Sequence, residues 1–290
     1  MNSDLAIIIE KIKSSTIEIS KLLRCYIPSG CNTNEERINK SGDSVNAVDI
    51  LSNEIVKKNL ANIDSIFAIS SEEEDDIVYV NNNGKYLVVF DPLDGSKNID
   101  CSLSTGSIFG IYLINENKKI SELTGHYIVY SSFALYSSAT LYLDCLNKAD
   151  LYILDGGYKM IKQDIQIPTK SKFYYVNESN RKRMSSDLQL LIDKLTSEGK
   201  SNRWTGCMVS DVYRLLTNGG IFFYPCDSKN IKAKLRIVYE ILPMSYIVSK
   251  CGGYSYVNYK TKTNALNTII GDNIHDKSPI FLAGEHEYSL

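Results

Sequence analysis

Residues 85–100 read KYLVVFDPLDGSKNID. The continuous apolar run Leu87-Val88-Val89-Phe90 has the pattern of a strand buried on both faces, and it ends in Asp91-Pro92-Leu93-Asp94-Gly95-Ser96. Pro92 restrains one backbone angle and Gly95 permits a tight turn. Two carboxylates three residues apart, with the Leu93 carbonyl between them, can therefore face one point. Asp-Pro and Asp-Gly are also ordinary turn chemistry that could simply cap the next element. The rigid apolar strand in front of them favours placed functional groups.

A second acidic cluster, Ser71-Glu72-Glu73-Glu74-Asp75-Asp76, follows the strand-like run SIFAIS. Alone it reads as a solvated loop. Carboxylates that converge in a pocket repel one another and raise each other's pKa unless a cation compensates. Oxygen-only donors suit Mg²⁺ or Mn²⁺ and need no His or Cys ligand. Gly95-Ser96-Lys97 adds backbone donors and one cation beside them, a combination able to hold a phosphate. A phosphate ester held at such a site is open to hydrolysis by metal-activated water between two ions about 3.5–4 Å apart. Competing chemistry is weakly represented: His126, His275 and His286 form no recognisable triad, and Gly84-Lys85 lacks the rest of a Walker loop.

Outward from this centre, Leu5, Ile8, Ile9, Ile12, Ile19, Leu22 and Leu23 recur at helical spacing, so residues 4–24 are expected to form one amphipathic helix. Residues 25–43 lose the period and read as a loop, and 47–61 regain it as a second helix. Short β-rich runs follow: SIFAIS, KYLVVF, SIFGIYLI, YIVYSSFALYSS, ATLYLDCL and DLYILD. The second half continues with KFYYVN at 172–177, a helical pattern at 184–198, the strand GIFFYP, and a last long helix expected from about Lys234 to Lys250. Pro243 should bend that helix, and Gly252-Gly253 should stop it. Alternating helices and strands predict sheets layered with helices, divided into residues 1–165 and 166–290.

Composition sets the outer limits. With 290 residues, 43% hydrophobic, the chain can bury a large core without staples, and 32 basic against 34 acidic residues give no electrostatic case for nucleic acid. Seven cysteines with no C-x-x-C fit scattered thiols better than a disulfide or zinc framework. Asp4, Glu10 and Glu18 interrupt any leader-like apolar run, and no stretch approaches the ~18 apolar residues of a membrane span. A soluble cytoplasmic protein is expected, or an organellar one whose targeting segment has been removed.

At Asp91 through Asp100 the chain resembles the fructose-1,6-bisphosphatase family, within the wider magnesium-dependent, lithium-sensitive sugar and inositol phosphatases. Matching segments recur in order over about residues 5–285: Gly42-Asp43 through Asp49, Ser71-Glu72-Glu73, Gly106 through Tyr112, Met208 through Val212, Gly219 through Pro225, and Lys234-Leu235-Arg236 through Glu240. The resemblance implies an α/β fold of layered α-β-α-β-α type and a homodimer or homotetramer. It implies that Glu72, Glu73, Asp91, the Leu93 carbonyl, Asp94 and Glu240 ligate two or three Mg²⁺, with Mn²⁺ as a substitute. Asp49 and Glu73 would orient and deprotonate the attacking water, beside Asp43. Gly95, Ser96 and the adjoining Lys97 would hold the 1-phosphate, and Met208 with Asp94 would lie near the sugar. Asn177, Tyr224 and Lys234 would grip the distal phosphate, with Trp204 at a neighbouring position and Arg203 reaching in from another subunit.

The chain also departs from the family pattern. Lys97 stands where a second Ser is usual, Asn180 and Trp204 occupy phosphate-binding Tyr positions, and the threonines that bind AMP are missing although Lys85-Tyr86 remain. Thr205-Gly206 and Lys232 through Arg236 look more like sedoheptulose-1,7-bisphosphatase, whereas Asn98, Tyr224-Pro225, Tyr239 and the tail from Ile274-His275 look more like the fructose enzyme. The expected function is Mg²⁺-dependent hydrolysis of the 1-phosphate of a small phosphorylated sugar, fructose-1,6-bisphosphate. The alternatives are the seven-carbon bisphosphate, dual use of both, or a non-catalytic metabolite-binding protein.

Overall fold

A computed structural model of the chain describes residues 2–29, 37–38, 44–45, 47–114 and 119–290. Asp43 lies outside the described residues. Helix α1 (Ser3–Ser29) leads through two short paired strands, β1 (Arg37–Ile38) and β2 (Ser44–Val45), to helix α2 (Ala47–Leu60). Helix α1 thus runs five residues beyond the expected end, and Tyr26 continues its apolar face by packing on the same cluster as Leu23.

The strands β3 (Ile66–Ser71), β4 (Val78–Tyr79), β5 (Tyr86–Asp94), β6 (Thr105–Leu113), β7 (Ile128–Tyr136), β8 (Thr140–Cys145), β9 (Ala149–Leu154) and β10 (Tyr158–Lys162) form one eight-stranded sheet. Its spatial order is β10-β9-β8-β7-β6-β5-β3-β4. Pairing is antiparallel except between β3 and β5, which run parallel, so the turns after both strands emerge at the same edge. That parallel pair brings the two acidic clusters together.

A second, five-stranded sheet contains β11 (Phe173–Tyr175), β12 (Ser201–Asn202), β13 (Ile221–Tyr224), β14 (Tyr254–Tyr256) and β15 (Ile280–Ala283). Helices α3 (Ser186–Ser197), α4 (Met208–Asn218), α5 (Leu242–Lys250) and the short α6 (Glu285–Tyr288) accompany it. Helix α4 lies in a stretch with no predicted element, although Val209, Val212, Leu215 and Leu216 form a clear buried stripe.

Side-chain alternation divides the core into three layers of contact. Val88 and Phe90 face α1 and α2, whereas Leu87 and Val89 face the other way and join Val212, Leu215, Ile247 and Val248 of α4 and α5. Phe222 and Leu282 contact that central layer from the second sheet, while Ile221, Phe223 and Phe281 turn outward to Leu188 and Leu191 of α3. The order is helix, sheet, helix, sheet, helix, which is the expected sandwich. No helix among the described residues is long and apolar enough to cross a membrane.

The last long helix departs from expectation. Instead of an α-helix from Lys234 bent at Pro243, a π-helical turn spans Ile237–Ile241, and Pro243 sits in the first turn of α5. Proline cannot donate the bond back to residue 239, and its ring crowds that carbonyl, so the preceding turn widens. The Ile241 N–H reaches the Arg236 carbonyl at 3.1 Å.

Candidate functional site

The carboxylates at the ends of β3 and β5 and on the π turn line a cavity of about 400 Å³. In β5 the register against β6 shifts between Asp91, opposite Ile108, and Asp94, opposite Gly106. Pro92 and Leu93 of β5 thus oppose the single Ser107 of β6, and the bulge turns both Asp side chains the same way. The Leu93 N–H donates to Asp91 Oδ1 (3.0 Å), and Ser107 Oγ donates to the Pro92 carbonyl (2.6 Å), which pins the turn from both sides. Gly95 at φ +74° ends it.

Asp94 Oδ2 accepts the Val209 N–H (2.7 Å) and the Cys207 thiol (3.1 Å) at the start of α4, so the second sheet's helix fixes a carboxylate of the first sheet. Glu240 Oε2 accepts the Arg236 N–H (2.7 Å), and the Arg236 guanidinium donates to Glu72 Oε1. One oxygen each from Asp91, Asp94 and Glu240 lies within 4.8 Å of the others. Burial, followed by repulsion from Glu72, Asp94 and Glu240, drives the Asp91 carboxyl well above its usual range. Burial outweighs the donors from Val209 and Cys207 and raises Asp94 to about 6. Burial and Glu72 raise Glu240 to about 8 against the opposing pull of Arg236.

Such a cluster is electrostatically incomplete. Its donors are hard oxygens, its like charges cannot all ionise unaided, and a divalent metal ion is the group that fits. The metal-free protein carries a measurable consequence. Glu240 holds its proton up to about pH 8 when folded but only to about 4.5 when unfolded, so between those values the folded state binds more protons. Stability contributed by the protonated carboxyl is complete below the unfolded pKa and is lost as pH rises towards the folded one. Melts of metal-free protein are expected to fall from about pH 6 to about pH 8.5, by an amount on the order of 3 kcal/mol. Glu240→Gln should flatten that slope, and added divalent cation should raise the wild-type melting temperature more at the higher pH. A melting temperature that climbs across the interval would contradict the cluster's electrostatics.

The residues expected from sequence divide clearly by position. Asp49, in the first turn of α2, lines the cavity with Glu72, Glu73, Asp91, Leu93, Asp94 and Glu240. Gly95, Ser96 and Lys97 form its rim, and Trp204, Met208, Tyr224 and Lys234 complete the wall nearer the second sheet. Asn177 and Arg203 are not among the lining residues: the Asn177 side chain accepts the Ser179 N–H to cap a short 3₁₀ turn, and the exposed Arg203 guanidinium lies 5.7 Å from the centre of the Phe173 ring.

Arg236 and Asp211 are among the lining residues that the sequence reading does not include in the site. Arg236 is buried among the carboxylates, and its signal was a basic residue placed against the apolar run before Glu240. Asp211, raised to about 7 by burial, accepts both the Thr205 N–H and hydroxyl, and its signal was an acid inside the apolar stripe of α4.

Residues 3–159 match the family model described as Fructose-1-6-bisphosphatase, N-terminal domain, and residues 167–289 match the one described as Fructose-1-6-bisphosphatase, C-terminal domain. Cytosolic fructose-1,6-bisphosphatases of Oryza sativa subsp. indica and Solanum tuberosum are each 39% identical over 259 residues, covering 84% of this chain and 75% of theirs. The crystal structure of Leishmania major fructose-1,6-bisphosphatase in holo form superposes with a TM-score of 0.92 at 30% identity, covering 100% of this chain and 93% of that one. The apo form of the same enzyme gives 0.87 at 29% identity.

Proposed function

The chain belongs to the fructose-1,6-bisphosphatase family, and from that premise we propose that its cavity removes the 1-phosphate of fructose-1,6-bisphosphate, giving fructose-6-phosphate and inorganic phosphate. The observation that carries the reading is the convergence of Asp91, Asp94 and Glu240 oxygens within 4.8 Å in a cavity that Lys234 also lines. The cytosolic relatives assign the same compartment.

Glu72, Glu73, Asp91, Asp94, Glu240 and the Leu93 carbonyl hold two or three Mg²⁺, for which Mn²⁺ substitutes. Bound Mg²⁺ supplies positive charge to the entering and leaving oxygens of the displaced phosphoryl group. Asp49 and Glu73 orient the attacking water and accept its proton. Gly95 and Ser96 donate to the 1-phosphate, and Lys97 adds charge at that rim. Met208 and Asp94 border the sugar. Lys234 and Tyr224, with the Trp204 wall, hold the far phosphate; Asn177, which the resemblance places there, stands outside the cavity lining, and Arg203 reaches the site of a neighbouring subunit in a homodimer or homotetramer. The phosphoryl group passes directly to water.

Phosphate release with and without Mg²⁺, from fructose-1,6-bisphosphate, sedoheptulose-1,7-bisphosphate and inositol-1-phosphate in parallel, tests the assignment. Mg²⁺-dependent release that favours the six-carbon bisphosphate is expected. Preference for the seven-carbon sugar, or silence on all three, overturns it. Lys234→Ala should raise KM by about 10- to 100-fold with little change in kcat, the loss expected for one charge-assisted contact to a group remote from the reacting atoms. An unaltered KM would remove Lys234 from the distal phosphate.

A further inference from the structure

Residues 273–278 link the segment that leads to Glu240 with the turn that carries Glu72 and Glu73. Their main chain pairs with the segment leading to Glu240: the Asp276 carbonyl accepts the Ile237 N–H (2.9 Å), and the Ser278 N–H donates to the Leu235 carbonyl (3.0 Å). Arg236 and Lys277 face each other there in an antiparallel bridge. The same segment crosses to the other half through one side chain, because His275 Nε2 lies 2.9 Å from the Glu74 carbonyl.

A carbonyl only accepts, so Nε2 carries the proton and Nδ1 does not. Nδ1 is buried and has no hydrogen-bond partner among the described residues. The ring packs at 5.6 Å against Tyr239, whose hydroxyl meets Ser70 Oγ at 2.9 Å beneath the acidic turn. Burial lowers the His275 pKa, with Arg236 adding to the effect, so the neutral ring is the form present at neutral pH. Glu74 is held from the opposite side, where its carboxylate accepts Asn53 Nδ2 and Lys57 Nζ of α2, each at 2.6 Å. His275 thus spends its one donor on the backbone of the turn that presents Glu72 and Glu73, while its neighbours hold the turn that presents Glu240.

We propose that His275 is a positioning residue that clamps the Glu72–Glu74 turn to the Glu240 turn, so that carboxylates from distant parts of the chain form one cation site. The inference rests on the reading of Glu72, Glu73 and Glu240 as metal ligands. Outer contacts of this kind orient ligands without touching the ion.

Calorimetric titration of Mg²⁺ into the full-length protein tests it, alongside melts of the metal-free protein and KM measured at saturating Mg²⁺. His275→Phe keeps the ring and loses the donor, whereas His275→Gln returns an N–H at similar reach. The Phe variant should bind Mg²⁺ about 10- to 100-fold more weakly. Its metal-free melting temperature should stay within about 3 °C of wild type, and its KM for fructose-1,6-bisphosphate within about twofold. The Gln variant should recover Mg²⁺ affinity to within about threefold. Unchanged Mg²⁺ affinity in the Phe variant overturns the clamp, as does an equal loss in both variants. If the Phe variant fails to fold, His275→Asn, whose amide is too short to reach the carbonyl, is read by the same two outcomes. A wild-type protein that takes up no Mg²⁺ would sink the metal reading, and the clamp with it, before any variant is compared.

Discussion

Asp91→Asn should yield a folded protein whose kcat on fructose-1,6-bisphosphate falls by about 10³-fold, corresponding to ~4 kcal/mol of lost transition-state stabilisation. The substitution keeps the shape and the oxygen that accepts the Leu93 N–H, so the β5 turn has no reason to collapse. It replaces the other carboxylate oxygen with an amide nitrogen, which donates and cannot ligate a cation. It also removes the carboxyl that burial and the facing Glu72, Asp94 and Glu240 hold far above its usual range, and with it the cost of ionising a group there. The metal-free variant should therefore melt at or above the wild-type temperature. Phosphate release and a thermal melt on the same preparation separate the two effects. Turnover within about tenfold of wild type, a loss smaller than a single ligand should cause, would remove Asp91 from the metal site.

Gly95→Ala should damage stability and activity together. Gly95 sits at φ +74°, and a Cβ there would stand 2.7 Å from Cys207 Cβ and 3.2 Å from its Cα. The left-handed backbone costs about 1–2 kcal/mol for any residue with a Cβ, and forcing carbon into a packed contact adds about 1–3 kcal/mol. The strain is relieved only by moving Cys207, whose thiol and neighbouring Val209 N–H hold Asp94 Oδ2. A displacement of about 1 Å at a reacting geometry can cost 10²-fold, and a fall in kcat/KM of that order is expected. Gly156→Ala is the control: φ there is +67°, but nothing lies within 4 Å of the added Cβ. It should lose only the backbone contribution and keep its turnover. Equal behaviour of the two variants would show that strain alone matters and that the contact with Cys207 does not position Asp94.

Both predictions concern a turn whose chemistry was legible from residues 85–100 alone. Leu87 through Phe90 announced a doubly buried strand, and Pro92 and Gly95 announced an irregular end, because both features arise within a few residues of backbone. Glu240 was less legible. Its apolar neighbours predict burial, but an ordinary α-helix from Lys234 would carry it on a different course from the π turn that precedes Pro243. The stripe of α4 is short and sits between a Gly-containing loop and the Gly219-Gly220 stop, so its period is hard to read from sequence.

The sequence by itself determined the alternation of helices and strands, the buried strand with its acidic turn, and a hard-oxygen cation chemistry, since periodicity and local turn geometry act over a few residues. Only the tertiary structure decided which distant groups complete the site. Arg236 meets Glu72 across 164 positions, and His275 meets the Glu74 backbone across 201. No local pattern encodes such pairs, because they form when two sheets pack on the shared layer of α4 and α5, and burial there makes each polar contact obligatory.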